Sequence, residues 1–188
     1  HITGTGKEAP LVVYGPVGCG KTRAVQSLCE AAGMRILTLD GVSADDTTQL
    51  VQWIRLVRQL KVMQGPTAVF LDDFEGFTPD ARVAAVKAMT APSAGRCAPI
   101  IIACTNVRDP SMRCLAPLAN VRFSAPRAKE IADYFEGQFP RPWPMGVRSL
   151  CEQGDMRRVR IALEWNGIGA ERQNQHGGPV TFPNTFDA

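Results

Sequence analysis

The chain lacks the features that would mark it for a membrane or for secretion. No apolar run approaches the roughly 18 residues that cross a bilayer. The opening HITGTGKEAP has no charged segment followed by an apolar one, so no signal peptide is read there. Six cysteines stand at 19, 29, 97, 104, 114 and 151 and form no C-x-x-C pair, so zinc and redox-motif spacings are both absent. Reduced, mostly buried thiols in an intracellular protein, cytoplasmic or nuclear, are the expectation. Neither sign of charge dominates, with 21 Lys and Arg against 18 Asp and Glu. A net charge of +3 permits a local basic patch but gives no reason to infer nucleic acid. No internal repeat is visible, and a first residue other than Met suggests a fragment.

What is present fits a globular domain. Hydrophobic residues make up 45% of the chain, enough for a packed core. Its 188 residues suit one α/β domain with a small appended subdomain. Arginine far outnumbers lysine, which favours bidentate phosphate or carboxylate contacts.

Leu11–Tyr14 is a short apolar run ending at glycines, as a buried strand does. A helix is predicted from Lys21 to Ala32 with Ala24, Val25, Leu28 and Cys29 on one face, stopped by Gly33. Arg35–Asp40 alternates as a second strand. Asp46 can cap a helix from Thr47 to about Lys61, where Leu50, Val51, Ile54, Val57 and Leu60 recur at helical spacing. Thr67–Leu71 is a third strand, beyond the Gly65-Pro66 break. Thr78-Pro79-Asp80 reads as cap, first-turn proline and acid at the positive end of a helix reaching Thr90. Pro99–Cys104 and Val121–Phe123 are the fourth and fifth strands. Strand–helix alternation implies a parallel sheet covered on both faces.

After Pro126 the pattern is helical only, over about Arg127–Phe139, Val147–Cys151 and Asp155–Asn166. The organisation expected is an α/β core over 1–126, a helical subdomain over 127–166 and a polar tail over 167–188.

Gly15-Pro16-Val17-Gly18-Cys19-Gly20-Lys21-Thr22 matches G-x-x-x-x-G-K-[ST] in full, between a buried strand and a helix. The glycines let backbone N–H groups curl around phosphate oxygens, and the helix N-terminus adds partial positive charge. Lys21 is expected to reach the β- and γ-phosphates, and the Thr22 hydroxyl to bind Mg²⁺. Arg23 follows directly and is grouped with the loop. At Cys19 only the backbone N–H is expected to matter, although a helix end can favour a thiolate. The earlier Gly4-Thr5-Gly6-Lys7 has no strand before it and no helix after it.

Asp72 closes the third strand, where a P-loop ATPase holds its magnesium. Asp73 stands next, and the pattern resembles AAA+ enzymes, in which a glutamate at this place polarises the attacking water. Glu75 is expected to turn away.

This order of motifs resembles AAA+ ATPases and, among them, the clamp-loader group. In such proteins Asn106, just after the PIIIAC strand, takes the place of a first sensor that feels the γ-phosphate and helps place the water. Gly154-Asp155-Met156-Arg157-Arg158 is similar to the clamp-loader G-D-x-R motif, whose arginine, here Arg157, reaches down from a helical lid to the nucleotide. YGPVGCGKT, DDFEGF, ACTNVRDPSMRCLAPLANVRFSAPR and GDMRRV resemble the replication factor C large-subunit family in order and spacing, over about Leu11 to Leu163.

The resemblance implies a P-loop NTPase of the AAA+ type: a five-stranded parallel sheet flanked by helices, followed by a small helical lid. It implies ATP, ADP and Mg²⁺ as ligands. Implied partners are other AAA+ clamp-loader subunits in a hetero-oligomeric ring, a sliding clamp and primer-template DNA, with no membrane. Clamp loading on primed DNA in replication would follow, as a weak ATPase that needs partner subunits. Four departures stand out. Asp73 replaces the usual glutamate. Met112-Arg113-Cys114 is only a poor match to the family's Ser-Arg-Cys finger. The adenine-cradling segment is almost missing, with only ten residues before the first strand, and the family's helical collar does not follow the lid. A nucleotide-binding scaffold subunit with little turnover is the alternative. Arg82 and Lys87, on the helix after Asp73, would be the basic residues facing DNA, unless they only line a solvated face.

Overall fold

The computed structural model describes residues 9–40, 47–59, 66–92, 97–139 and 142–165. Contacts divide the chain into two compact units, His1–Ser124 and Ala125–Ala188.

The first unit is built on five parallel strands: β1 (Leu11–Tyr14), β2 (Arg35–Asp40), β3 (Thr67–Asp72), β4 (Ile100–Cys104) and β5 (Ala119–Arg122), in spatial order β2-β3-β4-β1-β5. Side chains alternate across each strand, and the core divides accordingly. Val12, Val69, Leu71, Ile100 and Ile102 face one layer, which holds Leu50, Ile54 and Val57 of α2 (Thr47–Gln59) and Ala81, Ala85 and Met89 of α3 (Pro79–Thr90). Val13, Ala68, Phe70 and Ala103 face the other, with Val25 and Cys29 of α1 (Lys21–Ala31). Burying a side chain such as Phe70 contributes roughly 1.5–3 kcal/mol, which is why the central strands read as unbroken apolar runs. The sheet is covered on both faces, as the alternation predicts.

The α3 start follows its sequence signal: Thr78 Oγ1 accepts the Ala81 N–H at 3.3 Å, with Pro79 in the first turn. Its far end has an unforeseen partner. Arg58 of α2 donates to the carbonyls of Ala88 at 2.6 Å and Ala91 at 2.7 Å, satisfying acceptors a helix end leaves open. Leu28, expected on the inner face of α1, is 69% exposed, and Val25 and Cys29 alone fill that stripe. β5 begins two residues earlier than predicted, because Leu11 pairs with Ala119. Asp46, Leu60 and the expected tail over 167–188 lie outside the described residues.

The second unit is helical: α4 (Ala128–Glu136), α5 (Val147–Glu152) and a helical stretch over 156–165. Ile131, Phe135, Val147, Cys151, Val159 and Leu163 form its core. α4 ends before Gly137, short of the predicted Phe139, yet Phe139 still packs on Phe135 with ring centroids 6.1 Å apart. The Phe139 carbonyl accepts the Trp143 indole N–H at 3.0 Å. No helix among the described residues is long and apolar enough to cross a membrane.

Candidate functional site

In an open parallel sheet, ligands bind at the carboxyl ends of strands where the order reverses. Here that place is the end of β1, flanked by β4 and β5. The Gly15 N–H donates to the Cys104 carbonyl at 3.2 Å, and the Phe123 N–H donates to the Tyr14 carbonyl at 2.7 Å, so both neighbouring strands grip the start of the loop. A Cβ at Gly15 would collide with the Phe123 carbonyl oxygen, which explains the glycine there. Gly18 and Gly20 have φ of 73° and 95°, in the left-handed region. Gly20 precedes α1 and supplies no side-chain cap, which leaves the first N–H groups of the helix to a ligand.

The loop's side chains divide by role. Pro16, Val17 and Arg23 are exposed, while Cys19 is buried and so turns its thiol away from solvent. Lys21 Nζ donates to the carbonyls of Gly15 at 2.7 Å and Pro16 at 3.0 Å, folding the ammonium back over the loop. Thr22 Oγ1 donates to Asp72 Oδ2 at 2.8 Å across fifty residues of sequence. A hydroxyl and a carboxylate brought together in this way are hard oxygen ligands of the kind magnesium takes alongside substrate phosphates. The chain therefore fits a phosphate–Mg²⁺ group here.

The acidic turn is held from below by Phe74 and Phe77, both buried, with ring centroids 5.5 Å apart. Asp72 Oδ1 also accepts the Asp73 N–H at 3.0 Å. Asp73 is exposed and sits at φ 48°, the one non-glycine residue with positive φ among those described. Glu75 corrects the sequence reading. It does not turn away: its Oε1 accepts the Thr105 N–H at the end of β4. Its Oε2 is buried with no hydrogen-bond partner among the described residues. Cys104 lies close by, and its thiol is pushed up to about 12, first by burial and then by the Glu75 charge, with Lys21 opposing. Lys21 and Glu75 thus act on one thiol from opposite signs of charge.

Asn106 follows one residue after Thr105 and is exposed. Its Oδ1 accepts the Arg108 N–H at 3.0 Å, a short local turn. The next segment, a 3₁₀ helix over Pro110–Leu115, is capped by Asp109, whose Oδ1 accepts the Ser111 N–H at 2.8 Å. The hydrogen bonds from Ser111 hold the Asp109 carboxyl below its usual range. Arg113 is exposed on this segment.

Arg82 overturns its expected place on a DNA-facing surface. It is 7% exposed, and its Nη1 donates to the Ser111 carbonyl at 3.0 Å and approaches Met112 Sδ at 3.6 Å. It joins α3 to the segment after Asn106. A sequence signal existed, since Arg82 falls at helical spacing with the buried Ala85, Val86 and Met89. Lys87 is exposed and lines a groove between α2 and α3 with Arg55 and Arg58.

Arg157 belongs to the second unit, exposed in the first turn of the last helical stretch. Asp155 Oδ1 accepts the Arg158 N–H at 3.1 Å as the cap. Gly154 before it has φ 74°, and a Cβ there would stand 3.0 Å from Ala125 Cβ.

A family model described as "ATPase family associated with various cellular activities (AAA)" matches residues 11–116, more than half of the 188-residue chain. The matched span carries the loop, the acidic turn and Asn106. A search of curated proteins finds no match.

Proposed function

The chain belongs to the AAA family of ATPases, and from that premise we propose that it binds ATP with Mg²⁺ at the carboxyl edge of its sheet and uses binding and hydrolysis to act on partners. The observation that carries this reading is the 2.8 Å hydrogen bond from Thr22 to Asp72, which brings two distant motifs together at the mouth of the phosphate loop. The bound nucleotide supplies a γ-phosphoryl group as the electrophile. The chain's own residues do the rest. Backbone N–H groups of 17–22 donate to phosphate oxygens, and Lys21 exchanges the Gly15 and Pro16 carbonyls for the β- and γ-phosphates. Thr22 and Asp72 would hold the cation, which would supply positive charge beside the phosphates. Asp73 polarises the attacking water, and Asn106 helps place it. Arg157 reports the γ-phosphate to the helical unit.

At a finer level the function proposed is that of a clamp-loader-type subunit, coupling ATP to sliding-clamp loading on primer-template DNA in replication. The ordered motifs up to G-D-M-R support it. The partners would be further AAA+ subunits, one of which supplies an arginine finger, a contribution of about 10³–10⁵ in rate. A scaffold subunit with little turnover is the second reading, favoured by Asp73: its carboxylate is one methylene shorter than glutamate's and sits exposed on a left-handed backbone. Steady-state hydrolysis by the purified chain, alone and then with primed DNA and candidate subunits, separates the two. Stimulation by DNA and partners supports the motor. ATP binding with no turnover in any mixture supports the scaffold.

A further inference from the structure

The acidic turn and the Asn106 corner come from different strands, and one side chain joins them. Glu75 accepts the N–H of Thr105, the residue immediately before Asn106. Asn106 itself is anchored on its other side by the Arg108 N–H. The corner is therefore held at two points, one local and one reached across thirty residues. The Glu75 carboxylate is also an expensive device for holding a loop. Its second oxygen is buried without a partner among the described residues, and a buried acceptor left without a hydrogen bond is destabilising. A residue placed for stability alone would have both oxygens satisfied, and such exceptions ask for a reason. Neither Asp72 nor Asp73 reaches Thr105. Asp72 is engaged by Thr22 and by the Asp73 N–H.

We propose that Glu75 is a positioning residue for γ-phosphate sensing: through Thr105 it fixes the corner that carries Asn106, so the acidic turn and the sensor move as one. The proposal rests on nucleotide binding at this edge, as set out above. It predicts that Glu75 acts through Asn106 and has little say in how the rest of the nucleotide is held. Glutamine at 75 keeps an acceptor for the Thr105 N–H, whereas alanine removes it.

The test is the ratio of affinities for a non-hydrolysable ATP analogue and for ADP, both with Mg²⁺, measured by calorimetry. It needs no turnover. The wild-type chain is expected to prefer the analogue. Glu75→Ala and Asn106→Ala should each lower that preference by about fivefold or more, with ADP affinity nearly unchanged. The double variant should lose no more than the larger single loss, because the two residues act in series. Glu75→Gln should recover most of the preference. Unaltered preference in Glu75→Ala, additive losses in the double variant, or a glutamine variant no better than alanine would each overturn the proposal. So would a wild-type chain that binds ADP and the analogue equally. A wild-type chain that binds neither nucleotide is a different failure, since it removes the binding site itself.

Discussion

The phosphate loop and the acidic turn lie at the same end of the sheet, yet they are built on opposite plans. The loop works mainly through its backbone. Its glycines adopt left-handed conformations, its N–H groups are uncapped, and Cys19 turns its side chain inward. The turn works through side chains, with Phe74 and Phe77 as its footing and Asp72 and Glu75 reaching to Thr22 and Thr105. A backbone device depends on residue type at fixed local spacing. A side-chain device depends on what the fold brings opposite it.

Three substitutions probe that contrast, from the largest effect to the smallest. Lys21 is the side chain of the loop proposed to meet the phosphates directly. Lys21→Ala should weaken ATP binding roughly 100-fold, about 2.8 kcal/mol, while the thermal midpoint stays within a few degrees. Calorimetric titration beside a melting curve checks it, and unchanged affinity would break the account of the loop. Gly15→Ala attacks the backbone plan. The added methyl meets the Phe123 carbonyl, which belongs to main chain and cannot swing aside. A loss of about 1–3 kcal/mol in urea unfolding is expected. Asp73→Gly relieves a left-handed backbone but loosens the unfolded chain, two effects of about 1 kcal/mol or less that oppose each other. Stability should therefore move by under about 1 kcal/mol, with nucleotide affinity retained. A large loss of binding would show that the Asp73 side chain holds the nucleotide directly.

The same contrast explains what could be read from the sequence. The loop, the acid closing β3 and the five strands were legible, because glycine spacing and buried apolar runs are local signals. Thr22 and Asp72 were named for one ion, and the fold does bring them together. Glu75 was misread because nothing local says that residue 105 will lie opposite it; the only hint is an acid wedged between two buried phenylalanines. Arg82 was misread because basic residues on a helix are usually solvated, although its spacing with Ala85 and Met89 pointed inward. Leu28 failed in the other direction. A pattern of four apolar positions overstated a stripe that needs only Val25 and Cys29.

We propose that the edge formed by residues 15–22, Asp72 and the Thr105–Asn106 corner is a single site for the phosphates of ATP. Residue-resolved amide hydrogen exchange, with and without ATP and Mg²⁺, tests it most directly. MgATP is expected to slow exchange at the amides of Gly18, Gly20, Lys21 and Thr22, with a smaller protection at Asn106. Protection confined to residues elsewhere in the chain, or none at millimolar ATP, would contradict it.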